Sequence, residues 1–220
     1  MADSIMTILF RPDEFFEEQA GKEPALGLPF GIVLVYAALS AILGYQMTTL
    51  MAPMYASIAE GYEGIIIFFG AAGGFISAIV FWIIASVIFY LLSMIFKGEG
   101  SMKKVLEAVG YGFAPLIASV GIAMVWLSMI ADQIVTPVIR DFMDPAAIDT
   151  AVEAFMTQPA MAEYTLLQTV LSIVFMIWAA NIWYSGIRYA RKLTQRDAAY
   201  TVFIPVGLYL IITIISFGVL

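Results

Sequence analysis

The chain has 220 residues, 62% hydrophobic and 12% charged, with a mean hydropathy of +0.95. A soluble domain averages about 45–50% apolar and about 25% charged, so this balance excludes an ordinary water-soluble globule and points to an all-α polytopic membrane protein. The net charge of −7 lies in loops between apolar runs and gives no nucleic-acid signal; with no cysteine and no histidine, disulfides, thiol chemistry, Ser-His catalysis and the commonest metal ligand are also excluded.

Residues 1–27 form an amphipathic segment before the first apolar run. "MADSIMTILFRPDEFFEEQ" has no basic start and does not read as a signal peptide. It predicts two short helices, Ser4–Phe10 and Pro12–Ala20. Pro12 suits a first helical turn, and Asp13, Glu14 and Glu17 complement the positive end. Ile5, Met6, Leu9, Phe15 and Phe16 are expected in the bilayer interface; the alternative is a frayed, solvated tail.

A bilayer core needs about 20 apolar residues per helix. Five stretches within residues 28–220 meet that length: Leu28–Leu50, Ile65–Phe96, Val105–Ile130, Tyr164–Ile187 and Tyr200–Leu220. The second is longer than required, so Gly70, Gly73 and Gly74 are expected to break it or let it tilt. Gly70 and Gly74 also make a Gly-x-x-x-Gly packing pair, a frequent and weak pattern. Pro205 and Gly207 are expected to bend the start of span five.

Charge sets the orientation. Arg11, Lys22, Lys97, Lys103, Lys104, Arg188, Arg191, Lys192 and Arg196 all fall at one end of the predicted bundle. The other end holds Arg140 with acids that include Glu60, Glu63, Asp132, Asp144 and Glu163. Positive-inside asymmetry then predicts a multi-pass membrane protein with a cytoplasmic N-terminus and an outer C-terminus. The outer loop 131–163 contains "MDPAAIDTAVEAFM", with an Asp cap, a Pro at the first helical position and apolar residues at helical spacing. An amphipathic helix over the outer mouth is expected there. Its acids are read as a solvated surface, or alternatively as cation ligands.

The third span is the unusual one. At about 100° per residue, Glu107, Gly110, Ala114, Ala118 and Gly121 share a stripe, and Val105, Val109, Leu116, Val120 and Leu127 lie opposite. Small residues let a neighbouring backbone approach, so the stripe is expected to face another helix and the aliphatic face to meet lipid. Glu107 is read either as an interfacial acid beside Lys103 and Lys104, favoured by the helix dipole, or as a cation- or proton-linked carboxylate. Pro115 removes an amide donor and clashes with the carbonyl of Tyr111, so a kink is expected, eased by Gly112. In span four, Gln168 shares a polar face with Thr165 and Ser172, and Asn181 lies on nearly the opposite face. Both are read as interhelical glue or as intramembrane polar candidates.

No phosphate loop, zinc-binding helix, nucleophile elbow or paired intramembrane aspartates occur, so no enzyme activity, no catalytic residue, no metal and no cofactor are expected.

"GEGSMKKVLEAVGYGFAPLI" resembles the signature of the Yip family, the Ypt/Rab-interacting protein domain, in which a Gly-rich turn leads into a Tyr-Gly-x-x-x-Pro-like helix. The matching residues are Gly98, Gly100, Tyr111, Gly112 and Pro115, with the proline one position earlier. "FRPDEFFEE" and "RDAAYTVFIP" are similar to the family's entry and its approach to the last span. The resemblance implies five membrane helices and a cytoplasmic N-terminus. It implies self-association or binding of other membrane proteins. Eukaryotic members that bind Rab-type GTPases carry a long cytoplasmic N-terminal region, whereas here the first span starts after about 27 residues, which argues against a Rab-type GTPase partner; the chain resembles instead the prokaryotic branch, which implies a prokaryotic plasma membrane. A membrane-organising scaffold or adaptor is the first functional expectation. A transporter or channel for an ion, lipid or small solute, with Glu107 near the path, is the alternative.

Overall fold

A computed structural model describes residues 2–59 and 61–219; Glu60 and Leu220 lie outside them. Among the described residues every regular element is helical. The α-helices in chain order are α1 (Ala2–Phe10), α2 (Pro12–Gln19), α3 (Gly27–Met51), α4 (Ala56–Ala59), α5 (Glu63–Ile95), α6 (Met102–Tyr111), α7 (Phe113–Ile130), α8 (Pro145–Met156), α9 (Pro159–Ala190) and α10 (Gln195–Val219), with short 3-10 turns at Ala52–Tyr55 and Ala131–Gln133. Five stretches are long and apolar enough to cross a membrane: Gly27–Ile58, Glu63–Ile95, Met102–Gln133, Pro159–Ala190 and Gln195–Ser216. They coincide with the five apolar runs.

The long helices pack as a ring. α3 lies along α5 and α7, α9 along α7 and α10, and α10 touches α5, while α6 packs among α3, α5 and α9. α5 runs unbroken past Gly70, Gly73 and Gly74. Two of those glycines set its approach to α3: a side chain on Gly70 would strike Thr48, and one on Gly74 would strike the Ser40 carbonyl. α10 likewise continues through Pro205.

The small-residue stripe of the third span divides. Gly110 is buried where a Cβ would stand 2.7 Å from that of Pro29, and Ala114 is half-buried. Ala118 is exposed, and Gly121 has nothing within 4 Å of a built Cβ. The aliphatic face expected to meet lipid is instead interior, since Val105, Val109, Leu116, Val120 and Leu127 are all buried. The reason is position. α6 is enclosed by three helices, and in α7 the bulky side chains fill the interior space that its neighbours leave.

At the basic end α1 and α2 fold back onto the bundle. Phe15 and Phe16, expected in the bilayer interface, are buried; their rings meet Tyr111 edge-on with centroids 5.1 and 5.9 Å away. Trp178 Nε1 donates to the Leu9 carbonyl at 2.9 Å, Asp13 pairs with Arg188 at 3.0 Å, and Lys104 Nζ donates to the Ala20 carbonyl at 2.7 Å. Ile5, Met6 and Phe10 remain exposed.

At the acidic end α8 forms on its expected cap, with the Asp144 carboxylate accepting the Ala146 N–H at 3.0 Å and Pro145 in the first turn. Its buried Ala151 and Phe155 join Met54, Leu127, Met161 and Tyr164 in a second core. The preceding loop is pinned by Thr136 Oγ1 on the Leu50 carbonyl and Ser57 Oγ on the Ile139 carbonyl, at 2.7 and 2.6 Å.

Candidate functional site

Two features stand out: a clamp with a helix break toward the basic end, and a cleft on the acidic side of the bundle. The clamp starts from two matching helix ends. α5 closes with the Gly98 N–H on the Ser93 carbonyl and the Lys97 N–H on the Met94 carbonyl. α9 closes with the Leu193 N–H on the Arg188 carbonyl and the Lys192 N–H on the Tyr189 carbonyl. Both are Schellman ends, with Lys97 (φ 56°) and Lys192 (φ 52°) in the left-handed position that glycine usually takes.

Arg191 joins the two ends. It is 2% exposed, and among the described residues no carboxylate neutralises it. Its Nε donates to Ser93 Oγ at 2.8 Å, one terminal nitrogen to the Gly98 carbonyl at 2.5 Å and the other to the Gly100 carbonyl. The guanidinium also lies over the Tyr90 ring, 4.4 Å from its centroid. Carbonyl oxygens and the negative end of α5 thus take the place of a counter-ion. In return the Arg191 carbonyl accepts the Glu99 N–H at 2.9 Å. Gly100 must be glycine here: its φ is +118°, and a side chain would strike the Ala190 carbonyl.

The break lies at Gly112, between α6 and α7, three residues before Pro115. Two indoles cover it. Trp82 Nε1 donates to the Leu106 carbonyl and Trp183 Nε1 to the Val109 carbonyl, each at 2.9 Å. A Cβ on Gly112 would occupy the Trp183 ring. Phe113 is fully buried against Tyr36, Phe81 and Trp183. Toward the basic end the bundle is therefore filled with rings.

Glu107 lies at the rim of this packing. It accepts the Ala25 N–H and faces Lys104. The hole beside it, lined with Phe16, Ala108, Gly186 and Tyr189, is about 20 Å³, space for about one water. Asn181 is exposed on α9, on a separate surface hollow with Phe10, Arg11 and Arg188. Glu107, Tyr111 and Asn181 share no cavity among the described residues.

The cleft lies deeper. Tyr36, Ser40, Ser77, Ser119, Gln168 and Ser172 line a cavity of about 560 Å³, together with Tyr209 and Tyr164. Gln168 Nε2 donates to the Tyr164 hydroxyl at 2.6 Å, and Ser172 and Tyr209 share a hydrogen bond at 3.2 Å. A second cavity of about 500 Å³ shares Met47, Tyr164, Gln168 and Ser172 and continues under α8 along Met51, Met54, Met156 and Met161. Among the described residues no charged side chain lines either one.

The model of the Yip1 domain matches residues 6–217, nearly the whole described chain. The chain belongs to the Yip1 domain family. A protein of Methanocaldococcus jannaschii bearing the name uncharacterized protein MJ0794 is 39% identical over 117 residues, which cover 52% of this chain and 81% of the relative. No solved structure matches.

Within this Yip1 domain the residues that resemble the family signature are structural parts of one assembly. Gly98 and Gly100 receive Arg191, Tyr111 meets Phe15 and Phe16 of α2 edge-on, and Gly112 and Pro115 shape the break under Trp183. Sequence reasoning missed Arg191, Trp82 and Trp183. Arg191 sits among three other basic residues in "RYARKLTQR" and looks like any of them. It also missed the cleft, because five helices each contribute one or a few ordinary polar positions. Of the intramembrane polar candidates, Gln168 lines the cleft, while Glu107 and Asn181 do not; the packing glycine Gly74 also lines it.

Proposed function

We propose that this Yip1-domain protein is a non-enzymatic scaffold of a prokaryotic plasma membrane, with its basic end and N-terminus in the cytoplasm, acting through contacts with copies of itself or other membrane proteins. One observation carries the reading. The residues that resemble the family signature are spent on stiffening and filling the basic end, where Arg191 and Trp183 are buried, α2 is docked, and the hole beside Glu107 is about 20 Å³. A rigid, basic platform suits docking and not conduction. The concentration of Lys and Arg at that end supports the orientation.

The cleft favours a second reading, movement of a solute or lipid, although Glu107 stands apart from it. A flux assay separates the two. Purified protein in liposomes should give no proton, cation or fluorescent-lipid movement above protein-free vesicles, and crosslinking in native membranes should give a product of defined higher mass. Movement that depends on the protein would overturn the scaffold reading; a fall in Gln168→Leu would assign it to the cleft, and a fall in Glu107→Gln to the basic end.

A further inference from the structure

The cleft has a wall that is missing. Every buried residue of α10 lies in its first half, at Ala198, Thr201, Val202 and Val206; beyond Val206 none of its described side chains is buried. α5 is the mirror case: it has no buried residue before Ala78. The two helices meet near the basic end, where Phe96 stacks on Tyr200 with centroids 6.2 Å apart. Toward the acidic end both present Phe68, Phe69, Ile76, Leu208, Ile211 and Ile212 outward. The cavity between Ser77 of α5 and Tyr209 of α10 therefore opens sideways, between apolar helix faces, at the depth of the hydrocarbon.

A cavity entered from the hydrocarbon takes what partitions there, and a charged group does not do so cheaply. The lining agrees. Its hydroxyls and the Gln168 amide offer donors and acceptors without a charge to bind or repel an ion. Gln168 spends one amide hydrogen on the Tyr164 hydroxyl, which leaves its amide oxygen as an acceptor and the Tyr164 proton as a donor. Toward α8 the lining changes to methionines, whose flexible thioethers adapt to irregular apolar shapes. A volume of about 560 Å³ is within the range of about 300–1,000 Å³ usual for small-molecule sites.

We infer that this cleft is a binding site for an uncharged amphipathic lipid, entering between α5 and α10, with its hydroxyl- or carbonyl-bearing head among Tyr36, Ser40, Ser119, Gln168 and Ser172 and its chain along the methionine wall. The inference concerns binding and goes beyond the scaffold reading; it requires no flux.

The test is photocrosslinking of the full chain in nanodiscs with two diazirine lipids that carry the same chains. One is a diacylglycerol, with a neutral hydroxyl head, and the other a phosphatidylglycerol, with an anionic head. The neutral probe should label α3 and α9 peptides containing Met47, Met161 or Ser172, and excess unlabelled diacylglycerol should compete it away. Gln168→Leu should lower that labelling by about threefold to tenfold, the loss of one hydrogen bond. Labelling of the outward residues of α5 should not change, which also reports a folded variant. Equal labelling by both probes, or labelling confined to outward residues without competition, would overturn the proposal. Competition in the unaltered protein decides the matter even if Gln168→Leu does not fold.

Discussion

Trp183 and Gly112 occupy one space: the indole whose Nε1 donates to the Val109 carbonyl at 2.9 Å lies where a Gly112 side chain would stand. The helix break and the indole are therefore a single device. At the break the Val109 carbonyl accepts the Gly112 N–H at 3.1 Å in place of a full helical bond, and in a membrane no water adds a further partner. Trp183 supplies a donor, and the missing Cβ lets it reach.

Gly112→Ala should therefore be costly, at about 3 kcal/mol, the upper end for overpacking, because the added carbon overlaps a ring wedged among Phe89, Phe113 and Phe81. Thermal unfolding in detergent measures it. Trp183→Phe alone should cost about 1–2 kcal/mol for the lost hydrogen bond. The double variant should be less destabilised than the sum, since the smaller ring makes room for the methyl.

Arg191 and Arg188 are three residues apart and should behave very differently. Arg191→Met leaves the carbonyls of Gly98 and Gly100 and the Ser93 hydroxyl without their donor, at a cost of about 3 kcal/mol. Arg191→Lys should restore little, because an ammonium lacks the planar fork. Arg188→Met breaks an ion pair whose Asp13 side chain is 53% exposed, so the change should stay within about 1 kcal/mol. Melting of the three variants side by side tests the contrast.

Two glycines of the third span should part company. Gly110→Ala pushes a methyl into Pro29, which should cost about 1–3 kcal/mol. Gly121→Ala meets open space, and a helical alanine is favoured by up to about 1 kcal/mol, so that variant should be neutral or more stable. Denaturation midpoints of the two variants would show it.

Phe16→Ala should release the N-terminal helices without opening the bundle. The ring is 5% exposed and touches Tyr111 and the region of Gly186, so its loss costs about 3 kcal/mol, concentrated where α2 docks. Hydrogen exchange should quicken across residues 12–19 and stay unchanged in α7.

The sequence made the five spans legible because a run of about 20 apolar residues has few other uses. Helix ends were less so: α9 extends to Pro159 and Ala190, beyond the apolar run Tyr164–Ile187, because backbone hydrogen bonding continues into the polar boundary. The disruption near Pro115 was legible too, though not its place at Gly112, which depends on a tryptophan some 70 positions later. The third span shows the deeper limit. Periodicity told which residues share a face but not which way that face turns. In a bilayer both the interior and the surroundings are apolar, so hydrophobicity does not choose between them. Val105 and Val109, on the face that periodicity assigns to lipid, lie in the core. Arg191 was hidden by its basic neighbours. The cleft was hidden because Tyr36, Ser119, Gln168 and Tyr209 meet only once the ring closes.

The most direct measurement is hydrogen exchange of the Gly98 and Glu99 amides, read by mass spectrometry on the full protein in nanodiscs. If Arg191 clamps the signature loop, these loop amides exchange as slowly as those in the neighbouring helices, since they are bonded to the Ser93 and Arg191 carbonyls at 2.9 Å, and Arg191→Lys speeds them at least tenfold. Fast exchange in the unaltered protein, with no change on substitution, would mean that the loop is an ordinary mobile turn and that the signature residues do not build a rigid platform.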